Sequence, residues 1–177
     1  INNASKLMEM MDQAPQDFVM HHQSNDLDKL TSFVHRTFNG IDLGYFVTSL
    51  KNIYTNHGGL EGIFTTFQTQ DSMQPAISRF KEIFFELPHE IRTTKHVSDP
   101  LKGSAAKRIN MFLRWMVRDN STGVDFGLWK NISPSKLSCP LDVHTGNVGR
   151  KLKLLKRKQS DAKALAELDK NLRKLDP

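Results

Sequence analysis

The chain has 177 residues, with 25 Lys+Arg against 19 Asp+Glu and a formal net charge of +6, a length that fits one domain or one domain with a short appendage. At 38% hydrophobic and 25% charged residues it is an ordinary globular composition, which excludes disordered, collagenous and coiled-coil classes. One cysteine, Cys139, excludes an internal disulfide, a four-cysteine zinc site and a cysteine-ligated iron–sulfur cluster built from this chain alone, and fits a reducing, cytoplasmic compartment.

Apolar residues recur at three-four spacing almost throughout, and no run alternates apolar and polar long enough for a strand, so the expected fold class is all-α. Asn2 or Asn3 caps a first helix with Leu7, Met8 and Met11 on one side, ending near Pro15, and a short turn follows over 16–20. Ser24 caps a helix through Leu27, Leu30, Phe33 and Val34 that Asn39-Gly40 stops. Asp42 caps the next, over 43–54, with Phe46, Leu50 and Ile53 inward, and a brief piece carries Leu60, Ile63 and Phe64. Asp71 or Ser72 begins a helix to about residue 87, with Pro75 in its first turn. Pro88 and Pro100 bracket a polar connection, then 104–118 is helical with Ile109, Phe112, Leu113 and Met116 packed inward. Residues 119–140 are irregular, with short helical turns expected over 126–129; Asp142 caps a helix to about 155, and Ser160 caps the last one, carrying Leu165, Leu168, Leu172 and Leu175.

No apolar run approaches the roughly 18 residues of a membrane span. The start, Ile1-Asn2-Asn3, has neither an initiator Met nor a signal-peptide pattern, and the chain stops straight after a helical pattern, which together predict a fragment of a longer protein. Charge is unevenly spread: residues 1–100 hold 8 Lys+Arg and 12 Asp+Glu, whereas 101–177 hold 17 and 7. The expected organisation over 1–177 is therefore a mostly acidic helical lobe, 1–100, and a basic part, 101–177, that meets an anionic partner, with DNA expected and RNA open. The densest basic run, 150–158, has six basic residues and no acid, and reads equally as the solvated face of an amphipathic helix.

Two stretches depart from plain packing. In Leu101-Lys102-Gly103-Ser104-Ala105-Ala106-Lys107 a glycine turns the chain into a helix start, where backbone N–H groups can approach a phosphate. In Pro140-Leu141-Asp142-Val143-His144 the aspartate lies at a helix start, which favours its ionised form. Taken singly, a lysine and a capping aspartate are structural residues. The histidines elsewhere show no metal-ligand spacing, and neither a metal nor an organic cofactor is expected.

These stretches resemble the helix-hairpin-helix DNA glycosylase superfamily, whose hairpin of the type Leu-Pro-Gly-Val-Gly leads to Lys-Thr-Ala-Asn and, later, Pro-Val-Asp-Thr-His-Val. Here Leu101-Lys-Gly-Ser-Ala leads to Lys107-Arg108-Ile109-Asn110, and Pro140-Leu-Asp-Val-His144 follows. More closely, Phe33-Val-His-Arg-Thr-Phe38 and Ser138-Cys-Pro-Leu-Asp-Val-His144 look like a bacterial domain-of-unknown-function family, itself distantly related to the glycosylases. The resemblance implies a two-lobed helical bundle that binds DNA and excises damaged bases, as enzymes of the endonuclease III and 8-oxoguanine glycosylase type do. It places Lys107 as the Schiff-base nucleophile, made neutral by burial and by the neighbouring charges of Lys102 and Arg108, and Asp142 as the catalytic carboxylate. His144 becomes a supporting residue. Lys102, Gly103, Ser104, Arg108, Arg150, Lys151 and Lys153 become the nucleic-acid contacts. A flipped base would enter between the lobes. Trp129 is the stacking candidate, and Trp115, at helical spacing, reads as core. The hairpin departs from the family pattern at Lys102 and Ala105, and the 35 residues from Lys107 to Asp142 exceed the spacing in compact members. The iron–sulfur loop of endonuclease III is absent. A module that kept the fold and basic face but not catalysis is the alternative.

Overall fold

The computed structural model describes residues 2–121 and 123–175. The chain ends, from which a fragment was inferred, lie partly outside the described residues at 1, 176 and 177. The fold is all-α: nine α-helices and a two-stranded ribbon stand among the described residues. None of those helices is long and apolar enough to cross a membrane. Packing divides the chain into two compact units, residues 1–60 with 83–96 and residues 61–82 with 97–177. The charge division and the packing division therefore differ over 61–82 and 97–100, which pack with the basic part. The first unit carries 6 Lys+Arg against 8 Asp+Glu, the second 19 against 11.

In the first unit α1 (Asn2–Met10) leads to α2 (Pro15–His21), so the expected turn at 16–20 is helix, begun by a proline whose missing N–H costs nothing in a first turn. The expected long helix after Ser24 is α3 (Ser24–Asp28), capped by Gln23, followed by a 3-10 turn over Lys29–Ser32 and then β1 (Val34–His35) paired with β2 (Phe38–Asn39). Periodicity misled here because Leu30 and Phe33 reach the core from a 3-10 turn as well as from a helix. Asn39-Gly40 starts α4 (Gly40–Asn56) rather than ending a helix: Asn39 caps it, and Asp42 completes the reciprocal capping box. Gly40 is required by proximity, since a Cβ there would fall on the Thr31 Cα and the Leu30 carbonyl. Phe18, Val19, Leu30, Phe33, Leu43 and Val47 form the core, and Tyr45 and Ser49 anchor 83–96 by donating to the Phe84 carbonyl at 2.8 and 2.6 Å.

In the second unit α5 (Gly59–Thr66) and α6 (Gln74–Phe84), whose ends reach into the first unit, bring Ile63, Phe64, Ala76 and Ile77 into its core. The hairpin region is a 3-10 turn over Pro100–Lys102, closed by Gly103 in the left-handed region at φ 88°, then α7 (Lys107–Val117). Residues 119–121 and 123–133 are irregular as expected, without the helical turns expected over 126–129. Asp142 caps α8 (Val143–Lys151), and Asp161 rather than Ser160 caps α9 (Ala162–Leu172). Leu141, Leu155, Leu165 and Leu168 pack with Ala105 and Ala164.

Candidate functional site

Lys107 is the first residue of α7, and Asp142 the residue that caps α8. Buried Leu141 anchors the approach to α8, so Asp142 follows at a set place and its Oδ1 accepts the Thr145 N–H at 2.9 Å. The other oxygen, Oδ2, lies 3.4 Å from Lys107 Nζ. The fold thus brings together two side chains 35 positions apart. The Thr145 N–H and the Lys107 ammonium outweigh the small effect of burial and hold the Asp142 carboxyl below the usual carboxylate range. Lys107 is 44% exposed and Asp142 35%, so the burial expected around Lys107 is missing. The pair offers an ionised carboxylate beside a solvent-accessible amine.

The hairpin is tighter than a phosphate cradle made of its own backbone. The N–H groups of Lys102 and Ser104 donate to the Asp99 carbonyl at 3.2 and 3.1 Å, that of Gly103 to the Pro100 carbonyl at 2.9 Å, and that of Ala106 to Ser104 Oγ at 3.1 Å. The backbone donors expected of Gly103 and Ser104 are therefore engaged inside the turn, and the Gly103 carbonyl accepts from Ala162 N–H at the start of α9. The donors shift one turn onward. Ala106, held in the left-handed region at φ 43°, has no side-chain oxygen to cap α7, which leaves the first-turn N–H groups of Lys107, Arg108 and Ile109 without intrahelical acceptors. Exposed Lys102, Lys107 and Arg108 supply cations at this end of the helix.

The basic run is also rebuilt. It leaves the helix at Lys151 instead of continuing to 155, and Lys153 turns through φ 59° so that Leu155 can be buried. Arg150 is an internal clasp rather than an open cation: its guanidinium donates to the carbonyls of Arg157 and Lys158 at 2.9 and 2.6 Å. Arg157 is spent similarly on Asp161, whose carboxyl the guanidinium and the Ala164 N–H hold down at about 2. Lys151 and Lys153 remain exposed, as does His144.

The tryptophans reverse their expected places. Trp129 is 7% exposed, with its ring 5.8 Å from Phe64 and 5.4 Å from Phe112, so it is core; Trp115, expected inside, is 41% exposed. Trp115 lies on α7, where its carbonyl accepts from Phe126 N–H at 2.7 Å and Phe126 itself is exposed. Nothing in a helical repeat distinguishes the two tryptophans; the irregular connection buries one and leaves the other. Sequence reading also missed three arginines, 114, 118 and 173, which line one pocket with the 134–140 segment. Their i, i+4 spacing on α7 was visible, but Arg173 comes from α9's C-terminal end and joins them only on folding.

The family model described as "Protein of unknown function (DUF2400)" matches residues 1–177, and the chain belongs to that family. No curated protein and no solved structure matches it.

Proposed function

We propose that this member of the DUF2400 family binds DNA through its second unit and excises damaged bases as a glycosylase with lyase activity. The observation that carries the reading is the approach of Lys107 Nζ to within 3.4 Å of Asp142 Oδ2, the two residues that resemble the glycosylase nucleophile and carboxylate. A net charge of 19 Lys+Arg against 11 Asp+Glu in that unit, with open N–H groups at the start of α7, supports the DNA partner. In this reading Lys102, Arg108, Lys151 and Lys153 meet phosphates, and exposed Trp115 replaces Trp129 as the stacking surface.

The ion pair is the resting arrangement. For reaction the pair opens, the Lys107 ammonium gives up a proton to solvent and the lone pair of the resulting amine forms a bond to the sugar C1′. The glycosidic electron pair leaves with the base, which takes up a proton from solvent; the C1′–O4′ bond then breaks, its electron pair and a proton from the attached nitrogen going to O4′, and a protonated Schiff base remains. The Asp142 carboxylate, held ionised by Thr145, stabilises the positive charge that develops on the sugar. A nucleic-acid-binding module without catalysis is the second reading, favoured by the exposure of Lys107 and its engagement with a carboxylate at rest.

Borohydride trapping on duplexes bearing an abasic site, uracil, thymine glycol or 8-oxoguanine separates the two. Catalysis predicts a covalent adduct with the parent chain, lost in Lys107→Ala and strongly reduced in Asp142→Asn. Binding that weakens with salt, with neither adduct nor base release, supports the module. Absence of DNA affinity at low salt rejects both.

A further inference from the structure

The pocket of about 690 Å³ in the second unit is built apart from the Lys107–Asp142 pair. Arg114 and Arg118 enter it from the second half of α7 and Arg173 from just beyond α9, while the 134–140 segment supplies another wall. Arg114 lies seven residues along α7 from Lys107, about 10 Å at the helical rise. Three guanidiniums thus converge on one concavity, a number beyond what packing requires and the usual means of holding a multiply charged oxyanion.

Two carboxylates oppose them. Asp125, 3% exposed, sits 3.3 Å from Arg114 Nε and 3.7 Å from Arg118 Nε. Asp169 lies in the pocket wall, where it accepts the Cys139 N–H at 3.2 Å; burial pushes its carboxyl above the usual range, against the Ser138 hydroxyl, the Cys139 N–H and Arg173. The arginines are left incompletely paired. Arg114 Nε faces Asp125 Oδ1 at 3.3 Å, an oxygen that itself has no hydrogen-bond partner, so the two form an ion pair, and Arg173 Nη2 is buried without a hydrogen-bond partner in the structure. Arg173 Nε has one long bond, 3.3 Å, to the Ser135 carbonyl. Buried N–H groups are almost always satisfied, so the orphaned Arg173 donor, in a pocket that two further arginines line, marks the place of an absent acceptor.

We propose that this pocket binds a phosphate monoester. A tetrahedral dianion presents several acceptor oxygens at once, which matches donors arriving from two directions, whereas a single carboxylate presents them in one plane. The proposal does not rest on the glycosylase reading, since neither Lys107 nor Asp142 lines the pocket. The phosphate has two candidate sources with the same chemistry, the end of a nucleic-acid strand and a small free ester.

The test is the thermal midpoint and isothermal titration of the full chain with inorganic phosphate, against sodium chloride at equal ionic strength. Saturable binding to phosphate is expected, weakened at least tenfold by Arg173→Gln and by Arg118→Gln. Arg118 is half exposed, so its variant keeps the test valid if Arg173→Gln fails to fold. Lys95→Gln, exposed in the first unit, leaves phosphate binding unchanged. Competition then identifies the source: at least a tenfold preference for 5′- or 3′-phosphorylated over hydroxyl-ended oligonucleotides assigns the site to strand ends, and binding of a nucleoside monophosphate without that preference assigns it to a small ester. Equal midpoints in phosphate and chloride, or binding that survives both arginine substitutions, overturn the proposal.

Discussion

Two aspartates at helix starts show how differently the two units use one residue type. Asp42, in the first turn of α4, is completely buried and saturated: Asn39 N–H donates to it at 3.0 Å, Thr93 Oγ1 at 2.8 Å, and Arg92 Nη1 spans both oxygens at 3.1 and 3.0 Å. Burial alone would raise its carboxyl; the Asn39 and Thr93 bonds and the charges of His96 and Arg92 outweigh that and bring it below the usual range. Asp142, at the start of α8, is also held low, yet it is a third exposed and pairs with one lysine on a flexible stem. The lesson is that a helix N-terminus ionises both, and the number of remaining partners separates a buried, saturated carboxylate from a partly exposed one.

The largest expected effect tests which tryptophan belongs to the core. Trp129→Ala removes a buried ring packed on Phe64 and Phe112 and should cost about 3–5 kcal/mol in chemical denaturation. Trp115→Ala should leave stability within about 0.5 kcal/mol while weakening DNA binding. If Trp115→Ala destabilises as much as Trp129→Ala, the assignment of the exposed ring to a ligand-facing role fails.

Next comes Asp42→Asn, which leaves Arg92 without its buried counter-charge and should cost about 3 kcal/mol at neutral pH. Because the folded carboxyl titrates below the unfolded one, its stabilisation is complete above the ordinary value of about 4 and is lost as pH falls through the lower folded value. Urea midpoints of parent and variant should therefore converge on acidification through that window. A constant gap down to the lowest accessible pH would show that the charge of Asp42 contributes nothing.

Substitution of the exposed pair is expected to separate stability from chemistry. Lys107→Ala should leave the thermal midpoint essentially where it was, because a solvent-exposed ion pair contributes little, while abolishing borohydride-trapped adduct. A large drop in midpoint with an unchanged adduct would reverse the roles assigned to the two aspartates. The smallest effect belongs to Lys153→Gly, at φ 59° on the surface: relief of the left-handed strain should stabilise the second unit by less than about 1 kcal/mol, with a shallower salt dependence of DNA binding.

The helical class and the capping by Asp142 were legible because each depends on local chemistry: apolar spacing and a side chain that accepts a first-turn N–H. Asn39-Gly40 was legible as a boundary but not as a beginning, since the same dipeptide ends one helix or starts another according to what the glycine lies against. The basic run showed its charge and concealed its shape. Arg150 and Arg157 are consumed by carbonyls and by Asp161 once Lys153 turns the chain back, and residue counting cannot distinguish a clasp from an open cation.

By itself, then, the sequence determined the all-α class and where charge accumulates, because both follow from neighbours within a few residues. Only the tertiary structure decided which tryptophan is buried and that Arg173 joins Arg114 and Arg118 around one pocket. Those outcomes depend on pairs more than 30 positions apart, such as Phe64 with Trp129 and Arg118 with Arg173, whose meeting is set by how the cores of α5, α7 and α9 pack and leaves no periodic trace along the chain.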